Sequence, residues 1–566
     1  MQQVFNASSS TRKADSRRYL RWMILLLVQV ALLAWLFRAN WGNGFSHVFG
    51  DRYDSLIETA LLEHWYNVVR GLAHWNSVHY FYPYAKTLGY NDGYLAYGLI
   101  YSCGRLAGAD PLLAAMLVNL AMKVIAFLGF YWFGCRVLRL RFGYAVLGGV
   151  IFTVSNNVVV HLLHAQLLTV GFVPPAATLL YLAVRALLDN DAAGLRRYGA
   201  CFALLYGVWA LTAYYLLWFF SFYTLVVLVF LVLLQRRALP RWSAISGPTR
   251  RALVLVLALQ VATLLPFLSV YLPKAAETGM HPYQSVLTNA LGPFDILNIG
   301  TLNYVWGDAV YWLHARIDFP LNFSENQMGM PPLLVLAFLA GSVWLCCRRV
   351  DGVLRLVLAG ALAALAIWLL LLKINGVSAY GMVYHLVPGA KGVRVISRWM
   401  VFLVFPVTAV AMVFLSAWQQ RRRLAAGALL ALCTLLLVGE QLNRADAVFV
   451  DRRPVMALLT AVPAPPAICR AFYVLDPRPA RPGDSPPEVQ YYRSNVDAML
   501  IAEYINLPTI NGFSTFNPPD WRFDFPARQD YQARVDAYAA HHDLKNLCGL
   551  DLEAMRWTVP DGQGGA

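Results

Sequence analysis

Two carboxylates three residues apart, in Gly50-Asp51-Arg52-Tyr53-Asp54, are the first groups in the chain able to do chemistry. They come shortly after the first apolar run, Trp22 to Phe37. Paired carboxylates serve as a general base or hold a divalent metal ion through oxygen. Charge beside a bilayer is costly unless it is used or paired. Asp54 has a second reading as the cap of a helix starting Ser55-Leu56-Ile57-Glu58, a role for which Asp51 stands too early. His161 and His164 follow at i, i+3 spacing, which sets both imidazoles on one face of a helix end, with Gln166 two residues on. His164 and Asp51 could share a metal ion, because imidazole plus carboxylate suits several divalent ions. Hydrogen bonding at a water interface is the other reading of the pair. Glu325, in Asn322-Phe323-Ser324-Glu325-Asn326-Gln327, stands just before an apolar run, as a site residue or a solvated loop glutamate. Lys391, Arg394 and Arg398 gather three cations in one short stretch. Guanidinium forks match phosphate oxygens, and basic residues near span ends also anchor to lipid headgroups.

The elements that must position these residues are membrane spans. Of 566 residues, 59% are hydrophobic and 14% charged, and mean hydropathy is +0.51. A soluble chain of this length carries more charge. The net charge of +15 does not indicate nucleic acid, because the basic residues sit in short clusters between apolar runs. Placing those clusters on the inner side predicts eleven spans, with the N-terminus inside and the C-terminus outside. The spans fall at about 22–37, 111–135, 143–160, 167–188, 199–214, 216–234, 252–272, 331–347, 353–372, 399–417 and 424–441. Long outer loops cover 38–110, 273–330 and 373–398. In the first loop, Leu61, Trp65, Val68 and Leu72 form one apolar helical face, which predicts a helix lying on the membrane surface. The aromatic stretch His79-Tyr80-Phe81-Tyr82-Pro83-Tyr84 is expected at the headgroups. Gly93 to Leu106 is short for a span and is assigned to the outer side.

This layout resembles the GT-C fold integral-membrane glycosyltransferases. The resemblance rests on Gly50-Asp51-Arg52-Tyr53-Asp54, the run through Trp65, and Tyr82-Pro83-Tyr84 before Gly93-Tyr94-Leu95. It covers about the first two-thirds of the chain as topology. It implies a polyprenyl-phosphate sugar donor, an essential acidic residue in the first outer loop, and polar site residues where His164 and Gln166 stand. It also implies an acidic or polar loop residue at Glu325 and an arginine for the lipid phosphate at Arg394. The first long loop carries no Asp-x-Asp motif, so metal dependence stays open. The expected fold is an all-α polytopic bundle with outer juxtamembrane helices. The expected function is sugar transfer to a glycan, lipid or protein acceptor in the cell envelope, at a bacterial inner membrane. Two other readings remain: a flippase of a lipid-linked glycan, and an envelope-polymer ligase or polymerase. Transporters place polar groups at mid-membrane, often with internal repeats. Here the charges sit in outer loops and no repeat is evident.

From Asn443 onward the composition turns polar and Pro-rich. The boundary divides a membrane module, 1–442, from an outer domain, 443–566, expected to be a small α/β unit. Cys469 and Cys548 are the only cysteines there, and an outer compartment permits their disulfide. Leu507 to Phe513 reads as a strand leading to a turn at Asn511-Gly512.

Overall fold

The computed structural model describes residues 2–160, 164–235, 242–316, 327–422, 426–444, 449–476, 487–524 and 529–560. Among these, eight helices are long and apolar enough to cross a membrane. They are Arg18–Leu36, Pro111–Arg136, Phe142–Val159, Ala165–Leu188, Tyr214–Leu234, Gly247–Thr278, Gly352–Leu371 and Ile396–Gln420. Ala192–Ala210, Pro332–Cys346 and Ala426–Gly439 are helices at the positions of the other predicted spans. Local chemistry sets several starts. Asp110 accepts from the Leu113 N–H at 3.0 Å, with Pro111 in the first turn, and Asp191 accepts from Gly194 at 2.9 Å. Both satisfy backbone donors that have no partner within the helix.

The third apolar segment is broken. Phe142–Thr153 ends, and Asn156–Val160 begins a separate short helix. Two buried asparagines hold the break: Asn156 donates to the Ile299 carbonyl at 2.8 Å and Asn157 to that of Met400 at 3.0 Å. Irregular backbone at this depth persists only where protein partners satisfy it.

The first long loop departs most from the sequence-based expectation. The helix Asp54–Val69 does not expose a polar face. Ser55, Glu58, Glu63, His64 and Asn67 are buried along with Leu61 and Trp65. One side packs on the helix Leu95–Leu106, where the Trp65 indole lies against Gly98 in space that a Cβ would fill. The other side packs on Pro487–Ile505, more than 400 residues away in sequence. The aromatic stretch is likewise internal. Tyr80 and Phe81 are fully buried, and the backbone pairs with a C-terminal segment through Tyr82 N–H to Thr509 O (2.9 Å) and Thr509 N–H to His79 O (2.7 Å). It joins protein to protein instead of sitting among headgroups. Gly512 abuts the Phe81 ring.

In the C-terminal part, Ala471–Leu475 and Leu547–Asp551 pair in parallel, and Arg556–Thr558 adds an antiparallel edge. A parallel pair requires a long crossover. The helices Pro487–Ile505 and Tyr531–His541 lie within that connection. Cys469, just before Ala471–Leu475, and Cys548, on the central strand Leu547–Asp551, are disulfide-bonded, with Cα atoms 5.6 Å apart. The segment after Leu507 makes a single bridge, Phe472 to Thr509, not a strand. A further antiparallel pair joins His47–Phe49 to Phe449–Asp451, immediately before the acidic loop. Arg452 extends this seam, its guanidinium 2.5 Å from the Asp110 carboxylate.

Candidate active site

The N-terminal turn of the helix Asp54–Val69 carries three carboxylates, Asp51, Asp54 and Glu58. Gly50 has φ +136°, and a Cβ there would run into Ser55. Only glycine fits this bend. The bend lets one Asp51 oxygen accept from the N–H groups of Tyr53 (2.9 Å) and Ser55 (3.2 Å), while the Asp51 N–H donates to Ser55 Oγ (3.1 Å). Asp51 therefore does cap the helix start, against the sequence-based expectation that it lies too early. Burial raises its pKa above the usual carboxylate range against the pull of the Ser55 hydrogen bond, and the neighbouring Asp54 charge adds to the rise.

Asp54 instead pairs with His164. Asp54 Oδ2 lies 3.2 Å from His164 Nδ1, with the aspartate half-exposed and the imidazole mostly covered. Burial would raise the Asp54 pKa. The hydrogen bond and charge of His164, then the charges of Arg398 and Arg394, outweigh it and hold the carboxyl below its ordinary range. Glu58, one turn on, is pushed to about 8 by burial and then by the charges of Asp54 and Asp51. It is protonated at neutral pH, which leaves Asp51 and Asp54 as the ionisable pair.

His164 is not on a helix. It precedes the 3-10 turns Ala165–Phe172, and its backbone is non-helical. Two tyrosines, on the helix Leu95–Leu106 and its cap, position this segment. The Tyr94 hydroxyl donates to Gln166 Oε1 at 3.2 Å, and that of Tyr97 to the Ala165 carbonyl at 3.0 Å. The Trp65 indole N–H donates to the Gly93 carbonyl at 2.6 Å, tying this cap to the acidic helix.

The cations approach from the third loop. Arg394 and Arg398 lie on two short 3-10 turns, Ala390–Gly392 and Ile396–Arg398, and their flanks, so α-helical spacing is not what brings them together. The Arg394 N–H donates to the Tyr215 hydroxyl at 2.9 Å, and the Arg398 guanidinium stacks 5.5 Å from the centre of the same ring. Tyr215 thus seats both. Arg394 is exposed and Arg398 is buried. Lys391 is exposed, its ammonium 5.6 Å from the centre of the Tyr384 ring. Asp92 accepts from the Tyr214 N–H at 3.0 Å, and burial pushes its pKa up to about 6 against the Tyr214 hydrogen bond and the charge of Arg398. His281 stacks on Phe516, and burial, then Arg394, pushes its pKa down to about 4.

The structure therefore places Asp54, His164, Arg394 and Arg398 within electrostatic reach of one another, with Asp51 and Gln166 beside them. His161 and Glu325 lie outside the described residues. Glu58, Asp92, Tyr94, Tyr215 and His281 do not figure among the sequence-derived candidates. Asn91-Asp92-Gly93-Tyr94 carried the clearest available signal, a polar turn just before an apolar helix. Among the described residues, two groups bring three ligand-type atoms within 4.8 Å of one another, and neither contains Asp51, Asp54 or His164.

No protein-family model matches the chain, and no curated protein matches it. A solved structure does. The archaeal oligosaccharyltransferase AglB from Archaeoglobus fulgidus, in complex with an inhibitory peptide and a dolichol-phosphate, aligns with a TM-score of 0.52 at 13% identity, over 94% of this chain and 69% of that one. ArnT from Cupriavidus metallidurans, bound to undecaprenyl phosphate, aligns at 0.36 and 13% identity, over 95% of this chain and 93% of that one. The likeness to AglB is one of fold: this chain shares the GT-C membrane fold of that oligosaccharyltransferase. It is an integral membrane protein, mostly helical, with small sheets.

Proposed function

We propose that the chain is a glycosyltransferase that moves a sugar from a polyprenyl-phosphate donor to an envelope acceptor on the outer side of the membrane. The observation that carries this reading is the meeting of the Asp54–His164 pair with Arg394 and Arg398, from three distant segments. Such a site has acid on one flank and guanidinium on the other, as attack at an anomeric carbon and departure of a phosphate require. Asp51 takes the proton of the acceptor hydroxyl. Two backbone N–H groups fix its aim, and its raised pKa suits a base. Arg394, exposed, meets the donor phosphate, and Arg398 stiffens the cationic wall from behind Tyr215. The Asp54 carboxylate and His164 imidazole fit a divalent ion in donor chemistry, with phosphate and water completing its shell. When bound, that ion would offset phosphate charge. The eleven-span topology, with the N-terminus inside and residues 443–566 forming an outer domain, belongs to this reading, as does an inner bacterial membrane.

The test is Asp51→Asn in full-length protein. Sugar transfer should be lost, while undecaprenyl phosphate still binds within about two-fold. Retained transfer in Asp51→Asn would remove the mechanism. Unaltered undecaprenyl phosphate binding in Arg394→Ala would remove the phosphate assignment.

A further inference from the structure

A second cluster of ligand-type side chains lies at the other end of the acidic helix. His64 is on that helix, His79 is in the first loop, and Glu503 is on the C-terminal helix Pro487–Ile505. One ligand atom from each lies within 4.8 Å of the other two. His64 and Glu503 are fully buried, and the His79 side chain is 13% exposed. The His64 Nε2 lies 3.3 Å from the Trp75 carbonyl. A carbonyl only accepts, so Nε2 carries the proton. In the neutral ring, Nδ1 then bears the lone pair. That lone pair has no hydrogen-bond partner and faces the Glu503 carboxylate at 3.8 Å. Glu503 is engaged by two donors of His79, its backbone N–H and its Nδ1, whereas the His64 lone pair stands open beside them.

The surroundings are built as a ligand shell is built. A metal-bound imidazole characteristically donates its second N–H to a carbonyl, as His64 does, and a bound carboxylate is itself held by hydrogen bonds. Asn67 Nδ2 reaches both the Glu503 carbonyl (2.7 Å) and its carboxylate (3.3 Å), and the His79 N–H donates to Glu503 Oε1 at 2.7 Å. His79 Nδ1 completes the triangle, 2.7 Å from Glu503 Oε2. Donors around a tetrahedral ion at bond lengths of about 2.1 Å stand about 3.4 Å apart, between the 2.7 Å of His79 Nδ1 to Glu503 Oε2 and the 3.8 Å of His64 Nδ1 to Glu503 Oε1. The other group of this kind, Asp520, His541 and His542, is looser, with His541 72% exposed.

We propose that His64, His79 and Glu503 bind one divalent ion of the zinc class, which pins the C-terminal part onto the first outer loop. Two imidazoles and a carboxylate are a donor set that Zn2+ favours, and partial exposure at His79 admits water as a fourth ligand. The ion serves assembly, not sugar transfer, because its donors are apart from Asp51, Asp54 and His164.

The experiment uses full-length protein in detergent, carrying Asp54→Asn and His164→Ala to remove the other candidate donors. It is equilibrated with Zn2+, or with Co2+ as a spectroscopic probe, and metal is counted by mass spectrometry. One equivalent should remain after gel filtration, with the visible absorption of tetrahedral Co2+. Glu503→Gln and His64→Phe should each lower affinity at least ten-fold, and chelator should lower the melting temperature only where both residues are intact. If Glu503→Gln does not fold, His64→Phe decides with the same readouts. A folded protein that retains neither ion overturns the proposal. So does a stoichiometry that either substitution leaves unchanged.

Discussion

The two halves of the helix Asp54–Val69 treat charge in opposite ways. At its start, the Asp54 carboxylate is half-exposed, and the cations that act on it come from loops between spans. In its second half, Glu63 is buried and wholly committed. It meets Arg105 through two contacts of 2.9 Å and accepts from the Tyr101 hydroxyl. Two nearly parallel guanidinium bonds plus a hydroxyl leave that carboxylate little capacity for a ligand. The contrast separates a site from an anchor on one element. The same helix leaves an acid open at one end while its other end is locked into protein.

Breaking the anchor should have the largest effect. Glu63→Gln strands the partly covered Arg105 charge, and loss of one partner from a fully buried pair, the upper bound here, costs about 3–5 kcal/mol. Thermal unfolding in detergent should show a loss of that order, whereas donor affinity in the surviving folded fraction should stay near normal. Arg398→Ala tests the open end. It leaves Asp92 and Asp54 without a buried cation, so undecaprenyl phosphate binding should weaken by about 30- to 150-fold, the scale of a truncated charge contact of about 2–3 kcal/mol. Calorimetric titration of the lipid phosphate reads this directly. Gly50→Ala is smaller, about 1–3 kcal/mol of backbone strain. Because it disturbs the bend that aims Asp51, transfer should fall more than melting temperature does. The smallest effect concerns pH. His164 helps hold the Asp54 pKa down, so Asp54 stays ionised as pH falls toward the usual carboxylate range. In His164→Gln that pKa rises, and the acid limb of the transfer–pH profile should move to higher pH. His164 also lowers the Asp51 pKa, so an unmoved limb would separate His164 from the site.

The same comparison explains what could be seen in the chain beforehand. Asp54, His164, Arg394 and Arg398 drew attention because each is polar or charged beside an apolar run, a local signal. The burial of Glu58, Glu63 and Asn67 had no local signal. The stripe Leu61, Trp65, Val68 is that of a helix with one wet face, and only Pro487–Ile505 covers the other. Tyr80 and Phe81 misled for the same reason, since aromatic residues suit headgroups and cores alike, and their partners lie near Thr509 and Asn511. Membrane segments were legible because length and hydropathy act residue by residue. The broken third segment was not, because Asn156 and Asn157 are satisfied by carbonyls at Ile299 and Met400, far along the chain.

The short strand pair of His47–Phe49 with Phe449–Asp451 sets a timetable for biosynthesis. The acidic loop emerges from the ribosome early, yet the strand beside it waits for a partner made about 400 residues later. At about 5–20 residues per second, that interval lasts tens of seconds. During it the apolar helices can insert, but the loop holding Asp51 and Asp54 lacks its clasp. A nascent chain stopped before Phe449 therefore lacks the strand that pairs beside the loop of Asp51 and Asp54.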